Sequence, residues 1–195
     1  MRLLEKLLIV LYLISLFFKF NRWIAGDYLL IFSSLFLGLF YWTSGWYLFK
    51  PKGEKSDAGL SVFFGGGIFF GFVGIFFKLL FWTGAHLFMY FSLLLMLPAI
   101  LICVINISRK SELKKFYIGS LKRLIFPFVI TIPLLLFFNR EILVSIYNRD
   151  NPVYVKLWKE MYHNPGDTVL KKRFENYVRD YNASHYGRRK WIILH

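Results

Sequence analysis

The chain has 195 residues, of which 57% are hydrophobic, 21% aromatic and only 18% charged; 25 Lys and Arg stand against 11 Asp and Glu, a formal charge of +14. A soluble domain averages about 45–50% apolar and roughly 25% charged residues, so this excess, at a mean hydropathy of +0.50, calls for lipid as the solvent. The aromatic content excludes disorder, and the single cysteine, Cys103, excludes an intrachain disulfide and a multi-cysteine zinc site.

A helix needs about 20 largely apolar residues to cross roughly 30 Å of hydrocarbon. The first candidate, Leu7 to Phe18, is short between Lys6 and Lys19, but Leu3, Leu4 and Phe20 extend it because long cationic side chains snorkel to the headgroups. A signal peptide is the competing reading of this end; bulky Ile24 before Ala25-Gly26 argues against cleavage. Tyr28 to Phe49 is free of charge and ends in Tyr41, Trp42, Trp46 and Tyr47, rings suited to a membrane interface. A basic loop, residues 50–58, leads into a third run from Ala58 to Phe77, rich in glycine and phenylalanine. Gly67 and Gly71 form a G-x-x-x-G pair, which predicts close helix packing there. Gly65-Gly66-Gly67 lacks the Gly-Lys-Ser/Thr that a phosphate-binding loop needs. Leu87 to Ile107 makes the fourth span, with Pro98 and Cys103 inside it.

A second basic loop, residues 108–123, precedes Leu124 to Phe138, which contains Pro127 and Pro133. This fifth run either lies re-entrant or spans as a longer helix over 124–147, carrying Asn139 and Arg140 inside. The sequence favours five spans, with four as the alternative. Loops on one side hold 11 Lys and Arg and those on the other hold 3, a bias that places the N-terminus in the cytoplasm and the chain in a bacterial inner membrane. Glu5 sits at a helix end next to Lys6, which predicts an interfacial ion pair.

Aligned with itself at an offset of 59, the chain matches Phe17-Phe18-Lys19 to Phe76-Phe77-Lys78, Trp23 to Trp82, and Phe32-Ser33 to Phe91-Ser92. Two tandem helical hairpins, over 1–49 and 59–107, follow from this register, as parallel rather than inverted repeats. In each outer turn Phe anchors in the acyl region, Lys reaches a headgroup or a helix carbonyl end, and Trp sits at the interface. Lys19, Trp23, Lys78, Trp82 and His86 are therefore the candidate headgroup or interface contacts. The segment Phe77-Lys78-Leu79-Leu80-Phe81-Trp82-Thr83-Gly84-Ala85 resembles the F-K-x-x-H-W-P-G-A turn of GldL, the membrane subunit of the gliding-motility and type 9 secretion motor. The first copy, Phe18 to Gly26, resembles it more loosely; Phe81 and Arg22 replace the family's His, and Thr83 and Ile24 its Pro. The resemblance implies a hairpin of the motor-subunit type over about the first 107 residues. The family resembles proton-conducting stators with an acidic group in the second helix of the hairpin; here neither Tyr28 to Phe49 nor Leu87 to Ile107 contains Asp or Glu.

From residue 148 the composition becomes that of a soluble segment. Asn151-Pro152 predicts a cap and first turn for a helix with Tyr154, Leu157, Trp158, Met161 and Tyr162 on one face. Asn164-Pro165-Gly166-Asp167 is a stop and a fresh cap, followed by Leu170, Phe174, Tyr177, Val178 and Tyr181 at helical spacing. Such a hairpin is too small to stand alone and is expected to pack on the membrane surface, the loops or a partner. Arg188 to Leu194, basic beside apolar, suits a lipid surface.

The expected fold is an all-α polytopic bundle with a small C-terminal helical hairpin. His86, His163, His185 and His195 show no metal-ligand spacing, Cys103 reads as a buried filler, and the sequons at Asn106 and Asn182 matter only in a eukaryotic secretory pathway. No catalytic group, cofactor or metal is expected, nor nucleic acid, since membrane topology accounts for the positive charge. The expected function is a non-enzymatic membrane scaffold or accessory subunit bound to lipid and to a protein partner or a second copy. The alternative is a small channel or transporter in which Lys19 and Lys78 favour an anionic cargo.

Overall fold

The computed structural model describes residues 2–21, 23, 25–48, 58–109 and 114–186. Every regular element among them is an α-helix: α1 Arg2–Phe20, α2 Gly26–Leu48, α3 Ala58–Leu79, α4 Ala85–Arg109, α5 Lys114–Leu136, α6 Arg140–Tyr147, α7 Pro152–His163 and α8 Thr168–Tyr186. The basic loop at 50–58 lies outside the described residues except for Ala58, the first residue of α3, as do Arg22, Ile24 and Arg188 to Leu194. The chain divides into two compact units, Met1–Phe137 and Phe138–His195.

The first unit is built around α3, which packs against α2, α4 and α5, while α1 lies against α2. Glycines set these spacings. A methyl group at Gly74 would meet Met89 Cγ at 2.6 Å, and one at Gly65 would meet the Tyr41 carbonyl oxygen at 2.8 Å. Gly67 faces Met96, and Gly71 faces Ser92 and Met96, so the predicted glycine face is occupied by α4 of the same chain. The hydroxyl of Ser92 donates to the Gly67 carbonyl at 2.8 Å, a bond that only this close approach allows. Cys103 is buried within α4. Aromatic rings fill the centre: Tyr12 meets Phe72 edge-on at 4.9 Å, and Phe126 closes the cluster from α5.

Among the described residues, four helices are long and apolar enough to cross a membrane, over Gly26–Gly45, Val62–Leu79, Ala85–Arg109 and Lys114–Leu136. Their burial pattern is that of a protein in hydrocarbon. Ser33, Ser34, Ser92, Ser120 and Thr131 point inward, whereas Phe32, Phe36, Leu87, Leu94, Leu101 and Val129 point outward. In water this arrangement would expose the apolar surface and bury the polar groups, the reverse of a soluble core. The chain is a multi-pass membrane protein. α1 has the same inversion: Glu5, Tyr12 and Ser15 are buried, while Leu3, Leu7, Val10, Leu13, Ile14 and Phe17 are exposed.

The fifth run differs from its expected bounds. α5 begins at Lys114, ten residues before Leu124, so the basic residues Lys114, Lys115, Lys122 and Arg123 lie in its first turns. It stops at Leu136, and Asn139 and Arg140 are not carried inside a longer helix. The side chain of Asn139 accepts from the Ile142 amide at 2.8 Å and starts the separate helix α6.

The second unit contains α6, α7 and α8. Asn151 caps α7 by accepting from the Tyr154 amide at 3.0 Å, with Pro152 at the first helical position. Asp167 caps α8 through the amides of Val169 and Leu170. Leu157, Trp158 and Phe174 are buried between these helices, Tyr154 stacks edge-on against Phe174 at 5.2 Å, and the Tyr177 hydroxyl donates to Asn151 at 2.7 Å. His163 Nε2 lies 3.2 Å from Glu141 Oε1.

Candidate functional site

The two outer turns share three backbone hydrogen bonds at the 59-residue offset. Trp23 N donates to Phe18 O at 3.0 Å and Trp82 N to Phe77 O at 2.9 Å; Asn21 N donates to Phe17 O and Leu80 N to Phe76 O at 3.0 and 2.9 Å. Leu29 N and Phe88 N repeat the relation on the next helix, donating to Ala25 O and Gly84 O. The rings follow: Phe18–Trp23 centroids lie 4.3 Å apart and Phe77–Trp82 centroids 5.1 Å. Phe81 has a φ of 60°, a left-handed conformation that a β-carbon disfavours and that the chain reversal requires.

The predicted contact residues separate here into two chemically different sets. Lys19, in the last turn of α1, donates to Asp27 Oδ1 at 2.7 Å; Asp27 lies in the first turn of α2. Lys78, at the same place in α3, has its Nζ 3.1 Å from His86 Nε2. With Lys78 as an ammonium, which has no acceptor, the imidazole would accept at Nε2. Lys78 is 7% exposed, and among the described residues no carboxylate pairs with it. Trp23 and Trp82 are both exposed at the turns. Lys19 and Lys78 are thus held in separate hairpins, the former already neutralised by Asp27.

A second constellation was not legible in the sequence. Glu5 is 6% exposed and is paired with Arg123, not with its neighbour Lys6, which is exposed. The guanidinium grips it in two places, Nε to Oε1 at 2.5 Å and Nη2 to Oε2 at 3.0 Å, and the Tyr41 hydroxyl donates to Oε1 at 2.8 Å. α1, α2 and α5 are joined through one carboxylate. Arg123 lies nine residues into α5, roughly 14 Å along its axis, and Glu5 lies in the first turn of α1, so the pair joins the start of α1 to the third turn of α5. Bidentate pairing is the geometry that best offsets the desolvation of both ions. Adjacent residues on a helix point to different faces, which is why Lys6 cannot follow Glu5 inward. Beyond the triad, Ser15 and Ser33 join α1 to α2 through their hydroxyls at 2.8 Å.

No group of three or more His, Cys, Asp or Glu side chains that could hold a metal ion occurs among the described residues. In the second unit an open groove of about 500 Å³ is lined by Ser145, Arg149, Lys156, Lys159 and Glu160. These features define a polytopic α-helical membrane protein with a polar clamp inside it and two related turns at one end. No family model, curated protein or solved structure matches the chain.

Proposed function

We propose that the chain is a non-catalytic subunit of a bacterial inner-membrane complex, a scaffold that anchors the α6–α8 unit at the membrane for a protein partner or a second copy. The observation that supports this reading is the Glu5–Arg123–Tyr41 clamp. Its carboxylate accepts from a guanidinium at both oxygens and from a phenol at one, and so acts as a strut between helices. The Lys19–Asp27 pair, the Ser15–Ser33 pair and the Ser92–Gly67 bond have the same character: polar groups spent on joining helices. The likeness of the outer turns to the GldL hairpin fits a subunit role.

In this reading α1 is a fifth span, because the charge of Glu5 is cancelled by Arg123 inside the bundle and only lipid suits its outward leucines. A cytoplasmic N-terminus then places the α6–α8 unit on the far side. A compartment-specific reporter fused after His195 should be active outside the cytoplasm. Reconstituted into liposomes, the protein should pass no chloride, phosphate or protons, and photo-crosslinkers on the exposed face of α8, at Lys171 or Glu175, should give one discrete heavier species in native membranes. A flux abolished by Lys19→Met and Lys78→Met, or a chain that crosslinks to nothing and runs only as a monomer, would refute the scaffold.

A further inference from the structure

The two outer turns share three backbone hydrogen bonds and differ in charge at two positions: Arg22 stands where the second turn has Phe81, and Asp27 where it has His86. Lys19 and Lys78 occupy the same place at the end of their helices, and eight residues on the first turn has Asp27 where the second has His86. Both residues lie in the first turn of the following helix, where exposed amide groups and the helix dipole favour negative charge. α2 meets that demand with Asp27, and α4 has no acidic residue in its first turn. The second turn therefore gathers a buried ammonium, an imidazole and the N-terminus of a 25-residue helix, with no anion among them. The first turn shows what completes the set: a carboxylate oxygen at 2.7 Å from the lysine nitrogen.

We infer that the second turn, and not the first, binds the phosphate group of an anionic lipid. An anionic oxygen placed beside His86 accepts a further N–H of Lys78, whose ammonium has three, while the first-turn amides of α4 face the remaining oxygens. A membrane source is favoured over a dissolved ion by what surrounds the group. Trp82 and Tyr90 are exposed beside it, at the level where interfacial aromatic rings sit, and Leu87, Phe91 and Leu94 form an exposed stripe on α4. That stripe gives an acyl chain a continuous apolar track beneath the headgroup. This inference is independent of the scaffold reading, because a channel or an enzyme could carry the same lipid.

The test is native mass spectrometry of the full-length protein released from detergent micelles doped with equal phosphatidylglycerol and phosphatidylcholine. The wild-type chain should retain one phosphatidylglycerol in preference to phosphatidylcholine. His86→Asp supplies the missing carboxylate from within and should cut that retention about tenfold, the value of one charge-assisted contact. Lys78→Met should do the same, and Asp27→His should add a second bound lipid. His86→Asp copies an arrangement that the first turn already tolerates, so it keeps the test open if Lys78→Met does not fold. Unchanged retention in His86→Asp, or equal retention of the two lipids by the wild type, would overturn the site; displacement of the lipid by millimolar inorganic phosphate would show a free-anion site and overturn its assignment to lipid.

Discussion

Replacing Arg123 by Met removes both guanidinium hydrogen bonds from Glu5 and leaves a carboxylate that is 6% exposed and still accepts from the Tyr41 hydroxyl. Breaking a buried pair from one side costs about 3–5 kcal/mol, because the remaining charge keeps its desolvation penalty. Glu5→Gln is milder. The Arg123 side chain is 23% exposed and keeps some access to polar surroundings, so the loss falls to about 1.5–3 kcal/mol, the value of a hydrogen bond to a charged group. The double replacement Glu5→Leu with Arg123→Met leaves no charge behind, and should cost less than Arg123→Met alone. The assay is unfolding of purified protein in mixed micelles titrated with dodecyl sulfate, read by far-ultraviolet circular dichroism. Lys6→Gln is the control, since Lys6 is exposed and should change stability by less than about 0.5 kcal/mol. Single replacements that each cost below about 1 kcal/mol and add in the double would refute the clamp.

Gly74→Ala and Gly65→Ala should each destabilise the bundle by about 1–3 kcal/mol, because the new methyl meets the crowded Met89 or the Tyr41 carbonyl; Gly71→Ala should cost less, since the Ser92 hydroxyl and the Met96 terminal methyl can move aside, and the same dodecyl sulfate titration ranks them. Phe81→Val should weaken the second turn by about 1–2 kcal/mol through its left-handed backbone, whereas Phe81→Asn should be tolerated there, measured as thermal midpoints in detergent. Asn151→Ala removes both the α7 cap and the Tyr177 bond and should cost about 1–2 kcal/mol, seen as faster amide hydrogen exchange across α7 and α8. Cys103 is wholly buried and should resist a maleimide until the protein is unfolded, an outcome read by gel shift.

The membrane helices were legible because hydrocarbon imposes a length and a composition that no other solvent asks for, and the bounds of α2, α3 and α4 follow from the charge-free runs. The caps of α7 and α8 were legible for a local reason, since Asn151, Pro152 and Asp167 act on amides within three residues of themselves. α5 was misjudged at its start, where Arg123 reads as a helix terminus; at its end the shorter reading, to Phe138, falls two residues past Leu136, and the longer one, to 147, does not form. Arg123 is tolerated inside because its counter-ion comes from α1, and Asn139 ends the span because its side chain captures the Ile142 amide. The clamp itself joins residues 118 positions apart, which spacing arguments along a single helix cannot reach. The turns were readable as a repeat, yet the contrast between their lysines was not: the structure pairs Lys19 with the carboxylate of Asp27 and Lys78 with the imidazole of His86.

The inverted character of α1 bears on how the protein is made. Its carboxylate leaves the ribosome 118 residues ahead of the guanidinium that neutralises it. If α1 spans, as proposed, it is expected to stay at the membrane surface or in the insertion machinery until α5 has been made. Nascent chains arrested before Arg123 should leave the N-terminal segment extractable by alkali, and those arrested well beyond it should not.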